Sequence, residues 1–220
     1  MSLQQDSQIS TNSNISGDKK MSRTGIVLVA LSGGAAVALS AICLPFVTPA
    51  IRRVCLPYVP ATHQQLENVT RALMLPTVAA AAPRKLQTQR LLVDLGSGDG
   101  RVVERASREG IKSIGVELNL WLVLYSRARA FFTGITPRPT YKRVNLWKYS
   151  LADFTDVVIF GVGPMMSELE SKFTQELQDG CTVVACRFPL PTWKPIATFG
   201  SGVDTVWLYV MNSDIKRIQE

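Results

Sequence analysis

Apolar and polar positions change character several times along this chain of 220 residues. Residues 1–23, MSLQQDSQISTNSNISGDKKMSR, are rich in Ser, Gln and Asn without apolar periodicity. Ordering them would bury almost no apolar surface, so this segment is expected to be disordered. From Thr24 to Ile51 the sequence TGIVLVALSGGAAVALSAICLPFVTPAI carries no charge at all. That run exceeds the ~20 residues a helix needs to cross a bilayer. Its small residues Ser32, Gly33, Gly34, Ala35 and Ala36 suit close packing between helices in lipid. A secretory signal peptide fits less well, because the run starts late and leads into Pro45, Pro49 and Arg52–Arg53 rather than a small-residue cleavage site. A buried core helix would be unusually long and apolar all round. Residues 24–51 therefore read as a membrane or targeting segment. Lys19, Lys20 and Arg23 flank it on one side and Arg52 and Arg53 on the other, which leaves its orientation open.

Residues 52–90 read as a stalk helix and a linker. Pro57 and Pro60 interrupt the chain, Thr62 is placed to cap a helix, and Leu66, Val69, Leu73 and Met74 follow at helical spacing. One face of that helix is expected to lie on the domain that follows. The stretch PTVAAAAPRKLQTQR at 76–90 has the composition of a flexible linker.

From residue 91 to 212, apolar runs alternate with helical patterns. Strands are expected at 91–95, 113–118, 140–144, 156–161, 182–187 and 204–210, and helices at 100–109, 119–132 and 164–178. Gly110 and Gly134 stand just past two of these helices and Pro164 sits in the first turn of the third, the usual stop and start signals. The alternation predicts a doubly wound α/β domain, Rossmann-like in architecture.

Net charge changes this picture only through its distribution. The formal charge is +7, yet residues 84–148 hold 13 Lys/Arg against 5 Asp/Glu and residues 149–220 hold 5 against 9. A basic half of that kind faces nucleic acid, anionic lipid or solvent alone. The four cysteines, Cys43, Cys55, Cys181 and Cys186, form no CxxC pair, and His63 has no companions at zinc spacing. Buried thiols are the expected state, with no metal.

The chemistry concentrates in LLVDLGSGDGR, residues 91–101. In a doubly wound sheet the first strand-to-helix turn lies at the carboxyl edge, where ligands bind. Gly96 permits the tight turn, Gly98 lets the backbone approach a ligand, and Gly100 lets the helix start against the strand. Arg101 stands where a dinucleotide fingerprint wants its third glycine. Asp94 ends the first strand and Glu117 closes the second, 23 residues later, near the spacing at which an acid meets ribose hydroxyls. Two carboxylates suit a cationic nucleoside better than a pyrophosphate. S-adenosylmethionine, with a sulfonium, an amino group and a ribose, is such a ligand.

The segments LVDLGSGDGR, GVELNLWLVLYSR, NLWK, VVIFGV, ACRFPLP and DTVWLY, in this order, resemble the mitochondrial seven-β-strand protein-lysine methyltransferases whose substrates are the ATP synthase c subunit and the adenine nucleotide translocase. The resemblance spans residues 45–210. LPFVTPAIRRVCLPYVPAT in the stalk and the FGV after the fourth strand are similar to the c-subunit branch more than to the translocase branch. It implies a seven-strand sheet and S-adenosylmethionine as cofactor. On matching positions it implies that Asp94, Gly96, Ser97, Gly98 and Asp99 line the methionine and ribose side. Glu117 would hold the ribose hydroxyls, with Leu118, Asn119 and Trp121 beside the adenine. The family's D-L-W after the third strand is Asn145, Leu146 and Trp147 here; the Asn145 amide oxygen can still accept from the adenine amino group.

Methyl transfer needs alignment and a neutral amine, and an apolar acceptor site disfavours the ammonium form. Phe160, Met165 and Met166 after the fourth strand, and Arg187, Phe188, Pro189 and Trp193 after the fifth, are candidates for that site; for Met165 and Met166 core packing is an equal reading. Nucleic-acid amino-methyltransferases place an Asn/Asp-Pro-Pro-aromatic element after the fourth strand. FGVGPMM lacks it, which favours a protein acceptor and leaves the basic half to an anionic, cardiolipin-rich membrane or to solvent. Glu104 and Arg108 are expected to be a surface pair of little energetic value. Tyr125, Arg127 and Arg129 do not form one patch and carry no assigned role. A membrane-tethered binding protein that has lost catalysis and a soluble small-molecule methyltransferase are the other classes. The uncharged run at 24–51 argues against the second. The resemblance further implies the mitochondrial inner membrane, the domain facing the matrix, and the apolar segment acting as uncleaved targeting information.

Overall fold

The computed structural model describes residues 22–51, 60–75 and 90–212. The expected disorder before Ser22, the stalk residues 52–59 and the linker residues 76–89 lie outside them. The chain divides into two units, Met1–Pro45 and Phe46–Glu220. Helix α1, Arg23–Ile51, occupies the uncharged run. Its 29 residues span about 43 Å at 1.5 Å per residue, more than the ~30 Å of a hydrocarbon core. Side chains along it such as Ile26, Leu28, Leu31 and Val37 are exposed, and by length and composition its first 18 residues are long and apolar enough to cross a membrane.

The second unit starts with α2, His63–Leu73, then alternates β1 (Leu91–Leu95), α3 (Arg101–Arg108), β2 (Lys112–Glu117), α4 (Leu120–Phe132), β3 (Thr140–Arg143), β4 (Asp156–Phe160), α5 (Met166–Glu176), β5 (Thr182–Cys186), β6 (Ala197–Phe199) and β7 (Val206–Val210). The sheet has seven strands in the order β3-β2-β1-β4-β5-β7-β6. β3, β2, β1, β4 and β5 run parallel, and β7 is antiparallel to both neighbours. The sequence pattern shows six of these seven strands within a residue or two at each end. β6 escapes it because ATF is three residues long and lies between Pro195 and Gly200, with no run for alternation to register.

Central strands are covered on both faces, so they read as unbroken apolar runs. Leu92, Val158, Val184 and Leu208 pack with Val69, Ala72 and Leu73 of α2 and Val102 and Ala106 of α3. On the other face Val93, Val157, Ile159 and Val183 meet Met166, Leu169 and Phe173 of α5. α4 is held through Val123 and Ala130 against Val103 and Tyr141. The expected stalk helix does lay a face on the domain, with one correction: Met74 is exposed, because it follows the last helical turn as its C-cap. Polar Gln65 and Asn68 are buried instead, their amides donating to the carbonyls of Val203 and Asp204. Thr62 caps the helix in a capping box with Gln65 and its hydroxyl also donates to Asp204 Oδ1 at 2.6 Å.

Glu104 is a second correction. Rather than a surface pair with Arg108, it is 5% exposed and receives both Arg108, at 3.2 Å, and Arg129 of α4, at 2.6 Å. Arg127, also without an assigned role in the sequence, donates twice to the Tyr141 carbonyl. The two arginines thus clamp α4 to α3 and β3. Of the cysteines, Cys181 and Cys186 are buried, and the Cys181 thiol contacts the Phe154 carbonyl.

Candidate functional site

The chain leaves β1 toward β2 and β3 and then returns to β4 on the other side. The carboxyl ends of β1 and β4 therefore open a crevice at the point where strand order reverses. Gly96–Gly100 forms the floor of that crevice. Gly96, Gly98 and Gly100 all have positive φ, at 77°, 53° and 83°, a region that side chains rarely enter. At Gly100 space is also closed, since a Cβ would lie 2.5 Å from the Tyr141 hydroxyl oxygen, which itself donates to the Gly100 carbonyl. The amides of Gly96 and Ser97 both donate to the Val116 carbonyl, so the loop leans toward β2.

That lean brings β1 and β2 chemistry together. Glu117 Oε1 accepts the N–H groups of Leu118 and Asn119, both at 2.8 Å, and Oε2 accepts the Gly98 N–H at 3.0 Å. The carboxylate is thereby fixed at the lip of the loop with lone pairs to spare. Asp94 is 2% exposed and its Oδ1 has no hydrogen-bond partner. Burial, then the charges of Glu117 and Asp99, push its carboxyl up to about 8. Ser97 Oγ is likewise buried and unpaired. An isolated buried carboxyl beside a glycine cradle fits a cationic, hydrogen-bonding ligand. S-adenosylmethionine meets that description.

Asp99 is held differently, receiving Arg101 Nε at 2.6 Å while Arg101 Nη1 reaches the Ala61 carbonyl before α2. Asn119 Oδ1 accepts the Trp121 N–H and caps α4. Leu118 and Trp121 are about two-fifths exposed at the rim. Asn145 does the same for the short 3-10 turn Leu146–Lys148, accepting the Trp147 N–H at 3.1 Å. An aspartate would make that cap equally, so the departure at Asn145 keeps the turn, while Leu146 and Trp147 pack partly into the core.

The acceptor-side candidates separate into two groups. Phe160 ends β4 half-buried, and Arg187 follows β5 at φ 70° with its amide on the Thr205 carbonyl and its Nε buried without a partner. Phe188 and Pro189 are exposed. These four stand at the crevice end of the sheet, with Met165 half-buried in the same edge. Trp193 does not join them: it is 5% exposed and packed between Phe173 and Tyr209, at ring distances of 6.4 and 6.2 Å. Met166 is also core. Met166 is core because it starts the buried face of α5, and Trp193 because its segment is tied to Glu170 of the same helix. Burial, then the charge of Asp94, push the Cys186 thiol up against the opposing pull of Arg187. It stays protonated.

Sequence reasoning missed Glu170. This α5 carboxylate is buried and accepts the Thr192 hydroxyl at 2.7 Å, the Thr192 N–H at 2.9 Å and the Trp193 N–H at 3.3 Å. Tyr209 Oη accepts the Leu190 N–H in the same loop. Their partners lie 19–23 residues away, so no local spacing revealed them. Glu170 is a positioning residue for the loop carrying Arg187 and Phe188. Replacing it with alanine is expected to raise KM for a protein acceptor about tenfold while the S-adenosylmethionine Kd stays within about twofold. Glu170→Gln, which keeps an accepting oxygen, should recover part of the loss; an equal rise in both constants would refute the role.

Residues 94–197 match the model of the ANTKMT methyltransferase domain, and residues 21–52 match the N-terminal domain of the ATP synthase c-subunit lysine N-methyltransferases. The chain is 46% identical over 198 residues to the Mus musculus ATP synthase c-subunit lysine N-methyltransferase, covering 90% of this chain and 75% of that protein. It is 40% identical over 193 residues to the Mus musculus adenine nucleotide translocase lysine N-methyltransferase, covering 85% and 79%. Among solved structures, an RNA methyltransferase from Salinibacter ruber in complex with S-adenosyl-L-homocysteine superposes with a TM-score of 0.59 at 26% identity, covering 70% of this chain and 95% of that one.

Proposed function

The chain belongs to the S-adenosylmethionine-dependent protein-lysine N-methyltransferase family of the ATP synthase c-subunit and adenine nucleotide translocase enzymes, and we propose that its own acceptor is a lysine of the ATP synthase c subunit. The observation that carries this choice is the match of residues 21–52 to the N-terminal domain of the c-subunit enzymes, a segment outside the catalytic sheet. The translocase is the second reading, favoured by the domain match over residues 94–197. The seat of action is the mitochondrial inner membrane, with the sheet domain on the matrix side. α1 supports that reading by its length and by the uncharged run from Thr24 to Ile51 within it, and a largely lipid-embedded acceptor suits a tethered enzyme. The run FGVGPMM, without an amide or acid to hold an exocyclic base amine, supports a protein acceptor over the RNA of the Salinibacter ruber enzyme.

When bound, S-adenosylmethionine supplies a methyl group on a cationic sulfonium. The work of this chain is placement and charge. Asp94, Ser97 and Glu117 hold and orient the cofactor at the β1–β2 edge, on a loop whose glycines admit close backbone approach. Phe160, Met165 and Phe188 present apolar surface at the β4–β5 edge, which disfavours an ammonium ion. Arg187 adds a fixed positive charge there and lowers the lysine pKa in the same direction. The amine reaches the methyl neutral, and its proton leaves to solvent. A strong general base is not needed.

Methyl transfer from labelled S-adenosylmethionine into mitochondrial membranes lacking the endogenous enzyme tests the assignment. One small, hydrophobic labelled band, lost on treatment with Asp94→Ala enzyme in place of wild type, is expected. A band at the size of the translocase selects the second reading, and cofactor binding without any label removes both.

A further inference from the structure

α4 is apolar on two opposite faces. Val123 and Ala130 point into the domain, as a surface helix requires. The opposite face carries Trp121, Leu124, Tyr125, Phe131 and Phe132, 41, 43, 53, 64 and 82% exposed. Their spacing puts all five, with exposed Ala128, on one stripe of the helix. An ordinary solvated helix places charge there; a stripe of this length marks a contact surface. Cations rim it. The Arg138 guanidinium sits 5.2 Å over the Phe131 ring at one end, and Arg143 Nε reaches the Leu118 carbonyl at the other, with exposed Lys142 and Lys148 beyond β3. From Leu118 to Leu151 the sequence contains six Lys/Arg and no Asp/Glu. The carboxylate that meets α4 from α3, Glu104, is buried and already neutralised by Arg129 and Arg108.

Apolar aromatics with a basic rim match the interface of an anionic bilayer. Trp and Tyr seat at the headgroup level, and clustered Lys/Arg gain from the surface potential. We propose that the outward face of α4, from Trp121 to Phe132 with Arg138, Lys142 and Arg143, docks the catalytic domain onto an anionic lipid surface. This rests on the membrane-bound reading above and adds a second point of attachment besides α1. Because the stripe begins at Trp121, four residues after Glu117 at the glycine loop, docking holds the crevice at the bilayer surface, where a lipid-embedded acceptor emerges.

Full-length protein carrying Phe132→Trp as a reporter, reconstituted into vesicles with brominated acyl chains, tests the surface. Compared with wild type, the added indole should be quenched several-fold more in phosphatidylcholine–phosphatidylglycerol vesicles than in phosphatidylcholine alone. Arg138→Glu with Lys142→Glu, both at exposed positions, should reduce that quenching to the neutral-lipid level, since each cation changes partitioning about fivefold. Phe131→Ser at the same reporter should reduce it as well. Quenching equal in both lipids, or absent from both while the chain floats with them, overturns the docking surface and leaves the membrane-bound reading standing. Flotation and quenching with anionic vesicles only supports the docking surface and overturns insertion of α1. Dimerisation in detergent that shields the reporter from acrylamide, with no lipid quenching, assigns the stripe to a second copy of the chain instead.

Discussion

Replacing Asp156 with alanine is expected to destabilise the sheet domain by about 3–5 kcal/mol, the usual cost of stranding the partner of a buried charge. Asp156 opens β4 at 1% exposure. Its Oδ1 accepts Arg90 Nη2 and the Thr182 hydroxyl, both at 2.5 Å. Its Oδ2 accepts Arg90 Nε at 3.0 Å and the Thr155 hydroxyl at 2.6 Å. Arg90 continues to the Leu73 carbonyl at the end of α2, so one carboxylate joins β1, β4, β5 and the helix that precedes them. Alanine leaves a half-buried guanidinium with only the Leu73 carbonyl and turns the Thr155 and Thr182 hydroxyls to the carbonyls of Leu91 and Thr155, whereas asparagine retains one accepting oxygen. Thermal unfolding should fall by roughly 6–20 °C for alanine in a domain of this size, and by less for asparagine. A fall no larger than about 2 °C would show that Arg90 finds water without cost. The network sits at the amino ends of the strands, away from the crevice, so cofactor affinity measured well below the unfolding midpoint is the control that separates stability from function.

What the sequence displays and what it hides follow one physical line. Apolar runs such as VVIF and TVVA announce buried parallel strands because burial on both faces leaves no room for alternation. The loop at 96–100 announces itself because positive φ admits few residues besides glycine. The contacts of Arg90, Asp156, Glu104 and Glu170 to other elements leave no such mark, since their partners are distant in the chain. Glu104 shows the difference well: Arg108, four residues on, is visible as a helix pair, while the shorter contact to Arg129 needs α4 to be folded against α3. Trp193 errs the other way. An aromatic after β5 looks like part of an acceptor site until Phe173 and Tyr209 are seen to enclose it. The outward stripe of α4 is present in the spacing of Trp121, Leu124, Tyr125, Phe131 and Phe132, but only the structure decides which apolar face of that helix is buried.

S-adenosylmethionine affinity is expected to rise with pH between about 6 and 8 and to lose both strength and slope in Asp94→Ala. In the cofactor-free enzyme Asp94 titrates near 8 rather than its ordinary 3.8, first because it is buried and then because Glu117 and Asp99 repel its charge. At pH 7 it therefore carries a proton. A cationic ligand is held by the carboxylate form, so binding must release that proton, and the association constant gains up to about tenfold per pH unit until the folded pKa is passed. Calorimetric titrations at pH 6, 7 and 8, in two buffers of different ionisation enthalpy, read both the slope and the released proton. Removing the carboxylate costs a charged hydrogen bond, worth about 10–100-fold in Kd, and leaves a flat profile; Asp94→Asn keeps the shape of the site and should be flat as well. Stability moves the opposite way. The folded, cofactor-free state binds more protons than the unfolded chain between pH 4 and 8, so the wild-type contribution is present at low pH and lost as pH rises through about 8, whereas the alanine variant is free of that loss. A variant more stable than wild type at pH 8 yet weaker in cofactor binding would identify Asp94 as a group held under strain for its ligand. A wild-type affinity independent of pH, with no proton released, would mean that Asp94 keeps one protonation state through binding, and the coupling of its ionisation to the cofactor would fall.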